Sequence, residues 1–256
     1  MFLKFDQVTL RFSGLTALSN VSFGVPEGAI FSLIGPNGAG KTTLLNCLSR
    51  FYTPQAGSIL FQDQNLFAYK PQQVIDLGIS RSFQNIELFK GLTVEENLLI
   101  GLHKRLQTST LATALRFPSM RKKEREARAF VYEIMEQLGI ADLACKSVSQ
   151  LPYGIQKRID IGRALVSKPK LLLLDEPAAG MNESESMELG DWIAALPERF
   201  GVTVMMIEHD MTLVMRLSQR IAVLEFGKLI AVGTPSEVQN NPAVIAAYLG
   251  EEMELA

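Results

Sequence analysis

The residues Gly35-Pro36-Asn37-Gly38-Ala39-Gly40-Lys41-Thr42-Thr43 satisfy the spacing G-x-x-x-x-G-K-[ST]. Glycines at these positions let the backbone turn tightly, so that successive N–H groups point inward at anionic oxygens. Lys41 can reach terminal phosphates, and Thr42 can place its hydroxyl on a Mg²⁺ ion. The flanks agree. Ala29 to Ile34 reads as a buried strand, and Thr42 to Leu48 carries Leu44, Leu45 and Leu48 at helical spacing. A helix beginning there adds the positive end of its dipole to the site. The spacing predicts a nucleoside triphosphate site in a strand–loop–helix.

Further on, Leu171 to Leu174 is an unbroken apolar run, as expected of a central parallel strand, and it ends in Asp175-Glu176-Pro177. Ligands of such sheets bind beyond the carboxyl ends of the strands. Asp175 can there hold a metal-bound water, and Glu176 can take a proton from the water that attacks the γ-phosphate. Acids ending a strand can also cap the next helix, but a triphosphate loop in the same chain favours catalysis. A later strand, Val202 to Ile207, ends in Glu208-His209-Asp210. His209 in isolation reads as structural; its position at a strand end favours a γ-phosphate contact.

Three other residues or stretches are less specific. Gln84 follows the short strand Ile79 to Phe83. It could ligate Mg²⁺ or hold the attacking water, although alone such a glutamine is more often a solvated loop residue. Phe12, upstream of the phosphate loop, could stack on adenine; by residue type alone an ordinary core phenylalanine is the better reading. Leu151-Pro152-Tyr153-Gly154-Ile155-Gln156 leads a helix through Ser167, so a second helix start with a glycine is available to an anion.

The elements that must carry these residues follow from periodicity. Phe2 to Phe12 and Ala17 to Val25 read as strands before the phosphate loop, which suggests an antiparallel β-subdomain beside a nucleotide core. Gly57 to Gln62 adds a strand, and Pro71 to Leu77 a helix. Thr93-Val94-Glu95-Glu96 is a capping box opening a helix to about Leu102. Leu106 to Met120 reads as an irregular or partly helical insert, and Arg121 to Leu138 as an amphipathic helix with Ala127, Phe130, Ile134 and Leu138 on one face. The basic residues at its start alternate with Glu124 and Glu126, favouring a solvated, ion-paired face over an anion site. Asn182, with Glu185 three residues on, caps a helix to about Leu196. Ile221 to Glu225 and Leu229 to Val232 form a hairpin about Phe226-Gly227-Lys228, and Pro242 to Leu249 is a last helix before a loose acidic tail.

Bulk properties narrow the function. The chain has 256 residues, 47% hydrophobic, with net charge -2 and no long basic tract, which disfavours nucleic acid as the main partner. Cys47 and Cys145 fall in helix-like segments and read as small core residues of a reducing compartment. Lys4, Asp6 and Arg11 interrupt the N-terminal apolar residues, so no secretory signal is expected. No uncharged apolar run approaches a membrane span. A cytosolic protein is expected, with any membrane attachment through a partner.

Taken in order, the phosphate loop, Gln84, the Gly154 helix start, the Leu171–Glu176 run and His209 resemble the ATP-binding cassette (ABC) ATPases over nearly the whole chain. The resemblance implies an α/β fold: a P-loop NTPase cassette with a mixed or parallel core sheet, an antiparallel β-subdomain and an inserted α-helical subdomain. It implies one ABC domain over residues 1–256, with the nucleotide core and antiparallel subdomain at about 1–84 and 170–256 and the helical subdomain at about 85–169. It also implies ATP and Mg²⁺ as ligands. Phe12 becomes the adenine-stacking aromatic. Gln84 becomes a sensor of Mg²⁺ and of a membrane partner, and His209 a switch on the γ-phosphate. Leu151 to Gln156, with Tyr153, Gly154 and Gln156, becomes the signature that reaches ATP on a second subunit. Ala178 to Asn182 becomes the loop joining the two sites of the dimer.

This chain departs from the general pattern at Pro152, where Ser is usual, at Ile155, where Gln is usual, and at Asn182, where Asp is usual. Pro152 offers neither hydroxyl nor N–H. Loss of a hydrogen bond to a charged group costs about 1.5–3 kcal/mol, or roughly 10- to 100-fold in rate if felt only in the transition state. A weakened second-subunit site is expected, unless it is compensated as in heterodimeric importers, where Leu-Pro-Tyr-Gly is a familiar variant. The insert Gly101 to Gly139, the loop Ala178 to Asn182 and the tail Gly233 to Gly250 resemble the ATP-binding subunit of bacterial branched-chain amino acid importers. That resemblance implies a second, similar ATPase subunit, two transmembrane permeases, a periplasmic binding protein acting indirectly, and a place on the inner face of the cell membrane. The run Asn85, Ile86, Leu88 and Phe89 would receive a permease helix. A lipid or lipopolysaccharide exporter cassette and a soluble nucleic-acid-linked ABC ATPase are the alternatives.

Overall fold

The computed structural model describes residues 1–82, 86–102 and 118–254. The chain divides into two compact units, Met1–Arg81 with Lys170–Ala256, and Ser82–Pro169.

In the first unit β1 (Leu3–Phe12), β2 (Leu15–Val25), β4 (Ala56–Phe61) and β5 (Gln64–Asn65) form an antiparallel sheet in the order β2-β1-β4-β5. A simple period-2 strand is not what β1 does. Leu3 and Phe5 are buried, and then Val8 and Leu10 are. The register shifts between Phe5 and Val8, and Gln7 takes φ 51, so a bulge moves the buried parity from odd to even. The second sheet runs in the order β10-β9-β3-β8-β7-β6. It comprises β3 (Ile30–Ile34), β6 (Ile79–Arg81), β7 (Leu171–Asp175), β8 (Thr203–Ile207), β9 (Arg220–Glu225) and β10 (Lys228–Gly233). β3, β6, β7, β8 and β9 pair in parallel, and β10 pairs antiparallel to β9 at the edge.

Both faces of this sheet are covered, which is why β3, β7 and β8 read as continuous apolar runs. On one face the rings of Phe5, Phe23 and Phe31 stack in sequence, at 4.5 and 5.5 Å between centroids, and join the antiparallel sheet to β3. The helix α1 (Lys41–Leu48) shares that core through Leu44, Leu45 and Leu48. On the other face Ile34, Ile221 and Val223 meet Val214, Val238 and Val244.

The second unit holds α2 (Val94–Gly101), α3 (Pro118–Leu138) and α4 (Tyr153–Leu165). The Thr93 hydroxyl accepts from Glu96 N at 3.2 Å while a Glu96 oxygen accepts from Thr93 N at 2.8 Å, completing the expected box. Close helix approach rests on glycine: a Cβ on Gly101 would lie 2.3 Å from Arg163 O, and one on Gly162 2.6 Å from Leu138 Cδ1. Arg128 pairs with Glu95 and Glu124, so the basic face of α3 is ion-paired as expected. Most of the insert expected at Leu106 to Met120 lies outside the described residues, but Pro118 to Met120 already belong to α3.

The remaining helices of the first unit are α5 (Glu183–Ala194), α6 (Leu196–Phe200), α7 (Met211–Leu217), α8 (Pro235–Gln239) and α9 (Pro242–Glu254). Three expectations need correction. Pro71 to Leu77 is only a 3₁₀ turn at Pro71–Gln73 followed by further turns, because it is too short to repay helix nucleation. The helix at Pro242 continues to Glu254 instead of ending in a loose tail at Leu249. Cys47 is buried on α1, but Cys145 is exposed in a turn. Among the described residues, no helix is long and apolar enough to cross a membrane.

Candidate nucleotide site

The phosphate loop leaves β3 through Gly35 at φ 147 and enters α1 through Gly40 at φ 100, with Gly38 at φ 75 between them. These values lie where a Cβ is unwelcome. Two of the positions are also crowded: a Cβ would fall 2.0 Å from Leu224 O at Gly35 and 2.7 Å from Ala17 O at Gly40. The first helical bond of α1 runs from Leu44 N to Gly40 O at 2.9 Å, so the amides of the first turn of α1 have no partner within the helix, while Ala39 N donates to Pro36 O at 3.2 Å in the loop. Lys41 is buried, and its Nζ donates to Gly35 O at 2.6 Å and Pro36 O at 2.9 Å. The ammonium is therefore held inside the loop by two carbonyls.

Residues Asn37 to Thr43 line a cavity of about 410 Å³ together with Phe12, Glu176 and His209. That volume suits a small-molecule ligand. Phe12 is 40% exposed and packs edge-on to Tyr52 at 5.1 Å. It is a cavity wall and not the core residue its type alone suggested. Gly35 and Pro36 hold the lysine at the base of the loop.

Asp175 ends β7 in register with Ile207 of β8. It is buried, and its Oδ2 accepts from Arg81 Nη2 at 2.5 Å; the side chains are 5% and 11% exposed. The same guanidinium donates through Nη1 to Asn46 Oδ1 at 2.8 Å, which ties β6, β7 and α1 together beside the phosphate loop. Arg81 carried no sequence signal: its partner lies 94 positions away.

Glu176 breaks from the strand at φ 47, a left-handed conformation uncommon for its type and of the kind found at functional sites. Its N–H still donates to Ile207 O at 2.9 Å. Its Oε1 lies 2.8 Å from His209 Nε2. His209 is set by its neighbours. Asp210 caps α7, its Oδ1 accepting from Thr212 N at 2.9 Å and Leu213 N at 3.2 Å. Glu208 points the other way, is buried, and accepts from His209 N at 2.8 Å and Ala178 N at 3.0 Å. Burial raises the Glu208 carboxyl above its ordinary value, partly opposed by these amide bonds. Glu208 was also missed from sequence, because a buried strand-end acid has no spacing pattern.

The donor set suits Mg²⁺ shared with a triphosphate. Among the described residues no group of three or more His, Cys, Asp and Glu could hold a metal by itself. Thr42 offers a hydroxyl in the cavity, and Asp175, whose Oδ2 is held by Arg81, offers its second carboxylate oxygen at the strand end. Mg²⁺ characteristically takes one or two protein oxygens and completes its shell with phosphates and water. Gln84 lies outside the described residues. Tyr153, Gly154 and Gln156 form the first turn of α4, in the other unit, with Pro152 as a cap that makes no side-chain bond. Gln156 N donates to Pro152 O at 3.0 Å, and its Nε2 to Leu151 O at 2.8 Å.

A mostly parallel sheet, a glycine loop opening a helix after β3 and acids at the end of β7, one strand beyond the neighbouring β8, define a P-loop nucleotide-binding cassette. Residues 18–179 match the family described as ABC transporter, and residues 228–254 match the family described as branched-chain amino acid ATP-binding cassette transporter. The chain belongs to the ABC transporter ATP-binding family. It is 45% identical over 249 residues to the high-affinity branched-chain amino acid transport ATP-binding protein LivG of Escherichia coli (strain K12), covering 97% of this chain and 98% of that protein. It is 43% identical, with the same coverage, to the corresponding BraF of Pseudomonas aeruginosa. Among solved structures it is similar to the ADP conformation of an ATP-binding cassette of an ABC transporter, with TM-score 0.84, 30% identity and coverage of 98% and 99%. A nucleotide-free cassette gives TM-score 0.83 at 29% identity, with coverage of 96% and 98%.

Proposed function

We propose that this chain is the ATP-hydrolysing subunit that powers an importer of branched-chain amino acids or similar small solutes at the cytoplasmic face of the membrane. The C-terminal match at 228–254 and the names of its full-length relatives support the solute class. In this reading the partners are a second ABC ATPase subunit, two transmembrane permeases and, through them, a periplasmic solute-binding protein. No nucleic acid takes part.

The phosphates of ATP lie on the amides of the Gly38–Thr43 turn, and Lys41 exchanges a loop carbonyl for a phosphate oxygen. Phe12 stacks on the base. Thr42, Asp175 and Gln84 would hold Mg²⁺, which when bound would neutralise phosphate charge. Glu176 takes the proton of the attacking water, a role worth about 10²–10⁴-fold in rate. His209 orients that carboxylate and senses the γ-phosphate. Tyr153, Gly154 and Gln156 serve ATP held by the second subunit, where a helix start favours an anion. The run after Gln84 receives the permease.

The observation that carries the catalytic reading is the 2.8 Å contact of Glu176 with His209 in the cavity lined by the phosphate loop. The test is reconstitution with the permeases and binding protein in vesicles. Leucine, isoleucine or valine should stimulate ATP hydrolysis and drive uptake. Hydrolysis without any response to these solutes would overturn the solute class. Absence of ATP hydrolysis in the assembled complex would overturn the enzyme reading.

A further inference from the structure

Two tight hairpins contribute apolar side chains to the cavity. Ser13 and Gly14, at φ 39 and 98, join β1 to β2 with Phe12 opposite Leu15. Phe226 and Gly227, at φ 44 and 75, join β9 to β10 with Glu225 opposite Lys228. Positive φ at both loop residues is the type I′ pattern, which favours Asn or Asp followed by Gly. A bulky aromatic in the left-handed region is a departure from that preference. Burial does not account for it, because Phe226 is 78% exposed.

The tip that carries Phe226 is not loose. Gly227 N donates to Ala39 O at 3.0 Å, and Gly227 O accepts from Ser19 N at 2.8 Å. A Cβ on Gly227 would lie 2.5 Å from Ala17 O, so the tip sits against β2 and the phosphate loop. Phe226 lines the same cavity as Phe12, Leu15 and the Asn37–Thr43 turn, and Leu15 is 70% exposed. A triphosphate held on that turn brings its nucleoside into this cavity. Local rules broken without a folding reason mark positions kept for function.

We propose that Phe226, with Leu15, supplies a second apolar contact for the nucleoside of ATP in addition to Phe12, and so sets nucleotide affinity. This rests on the reading that the cavity binds ATP.

The test compares Phe226→Asn and Phe226→Ala with the unaltered chain, using MgATP and magnesium tripolyphosphate as probes in calorimetric titrations. Asn-Gly suits the turn, so the Tm of Phe226→Asn should hold or rise by about 2–4 °C. Its affinity for MgATP should fall about 3- to 10-fold, as for loss of an aromatic contact. Its affinity for tripolyphosphate, which has no nucleoside, should not change. Unchanged MgATP affinity in both variants would overturn the proposal. So would an equal loss for both probes, or a loss seen only as weaker pairing of two ATP-bound copies. An unaltered chain that binds neither probe would refute ATP binding at the cavity itself, a result separable from the others.

Discussion

His209 Nε2 lies 2.8 Å from Glu176 Oε1, although the two residues follow different strands and are 33 positions apart. One hydrogen bond thus fixes the orientation of a carboxylate whose own backbone is turned out of the strand at φ 47. Glu176→Gln preserves size and can still bond His209, but it cannot take a proton. We expect ATP turnover to fall by about 10²-fold or more while MgATP still binds. Steady-state hydrolysis and an equilibrium binding titration on the same preparation check this. Turnover at the normal rate would refute the assignment of Glu176 as base.

Arg81 and Asp175 form a buried ion pair. Removing one partner of such a pair leaves an uncompensated buried charge and costs about 3–5 kcal/mol. Arg81→Gln should therefore lower the urea midpoint sharply. The double variant Arg81→Gln/Asp175→Asn, which buries no charge, should recover part of the loss. Equal stability of the single and double variants would show that the pair is not what holds this corner.

Burial pushes the Cys47 thiol from 9.0 up to about 12, with nearby Arg50 opposing the shift. Cys145 is exposed. In the native protein at pH 8, one thiol per chain should react quickly with a maleimide, and mass mapping should place the label on Cys145. The folded chain keeps the Cys47 proton between pH 9.0 and about 12, whereas the unfolded chain loses it. Stability should therefore fall as pH rises through that window, and less steeply in Cys47→Ala.

Two glycines of the helical unit should respond differently to alanine. A Cβ at Gly101 meets Arg163 O at 2.3 Å and Val166 Cγ2 at 2.4 Å, while one at Gly91 meets nothing within 4 Å. Gly101→Ala should lose about 1–3 kcal/mol by overpacking. Gly91→Ala should hold or gain about 0.4–1 kcal/mol through the unfolded chain. Denaturant titrations of the two variants decide between them.

Much of this site is readable from local chemistry. The phosphate loop, the Leu171–Asp175 run and the caps at Thr93 and Asn182 each rest on residues close together in the chain, so their types alone specify the local geometry. Asn182 does so although Asp is usual there: its Oδ1 accepts from Glu185 N at 2.9 Å. What was not legible depends on long-range pairing. Arg81 acquires meaning only when β6 is laid beside β7. Glu208 does so only when β8 ends beside the loop after β7. The bulge at Gln7 reverses the burial pattern of β1, and no alternation rule anticipates where a bulge falls. Phe12 is ambiguous by type, since a strand phenylalanine serves a core or a cavity wall equally well.

The carboxylate of Glu208 accepts from Ala178 N and from His209 N. It therefore spans the two segments that carry Glu176 and His209. This side chain adds to the direct His209–Glu176 contact and to the bond from Glu176 N to Ile207 O, so the segments are coupled like two levers on a shared pin. A shift of either segment is therefore felt by the other at three points at once.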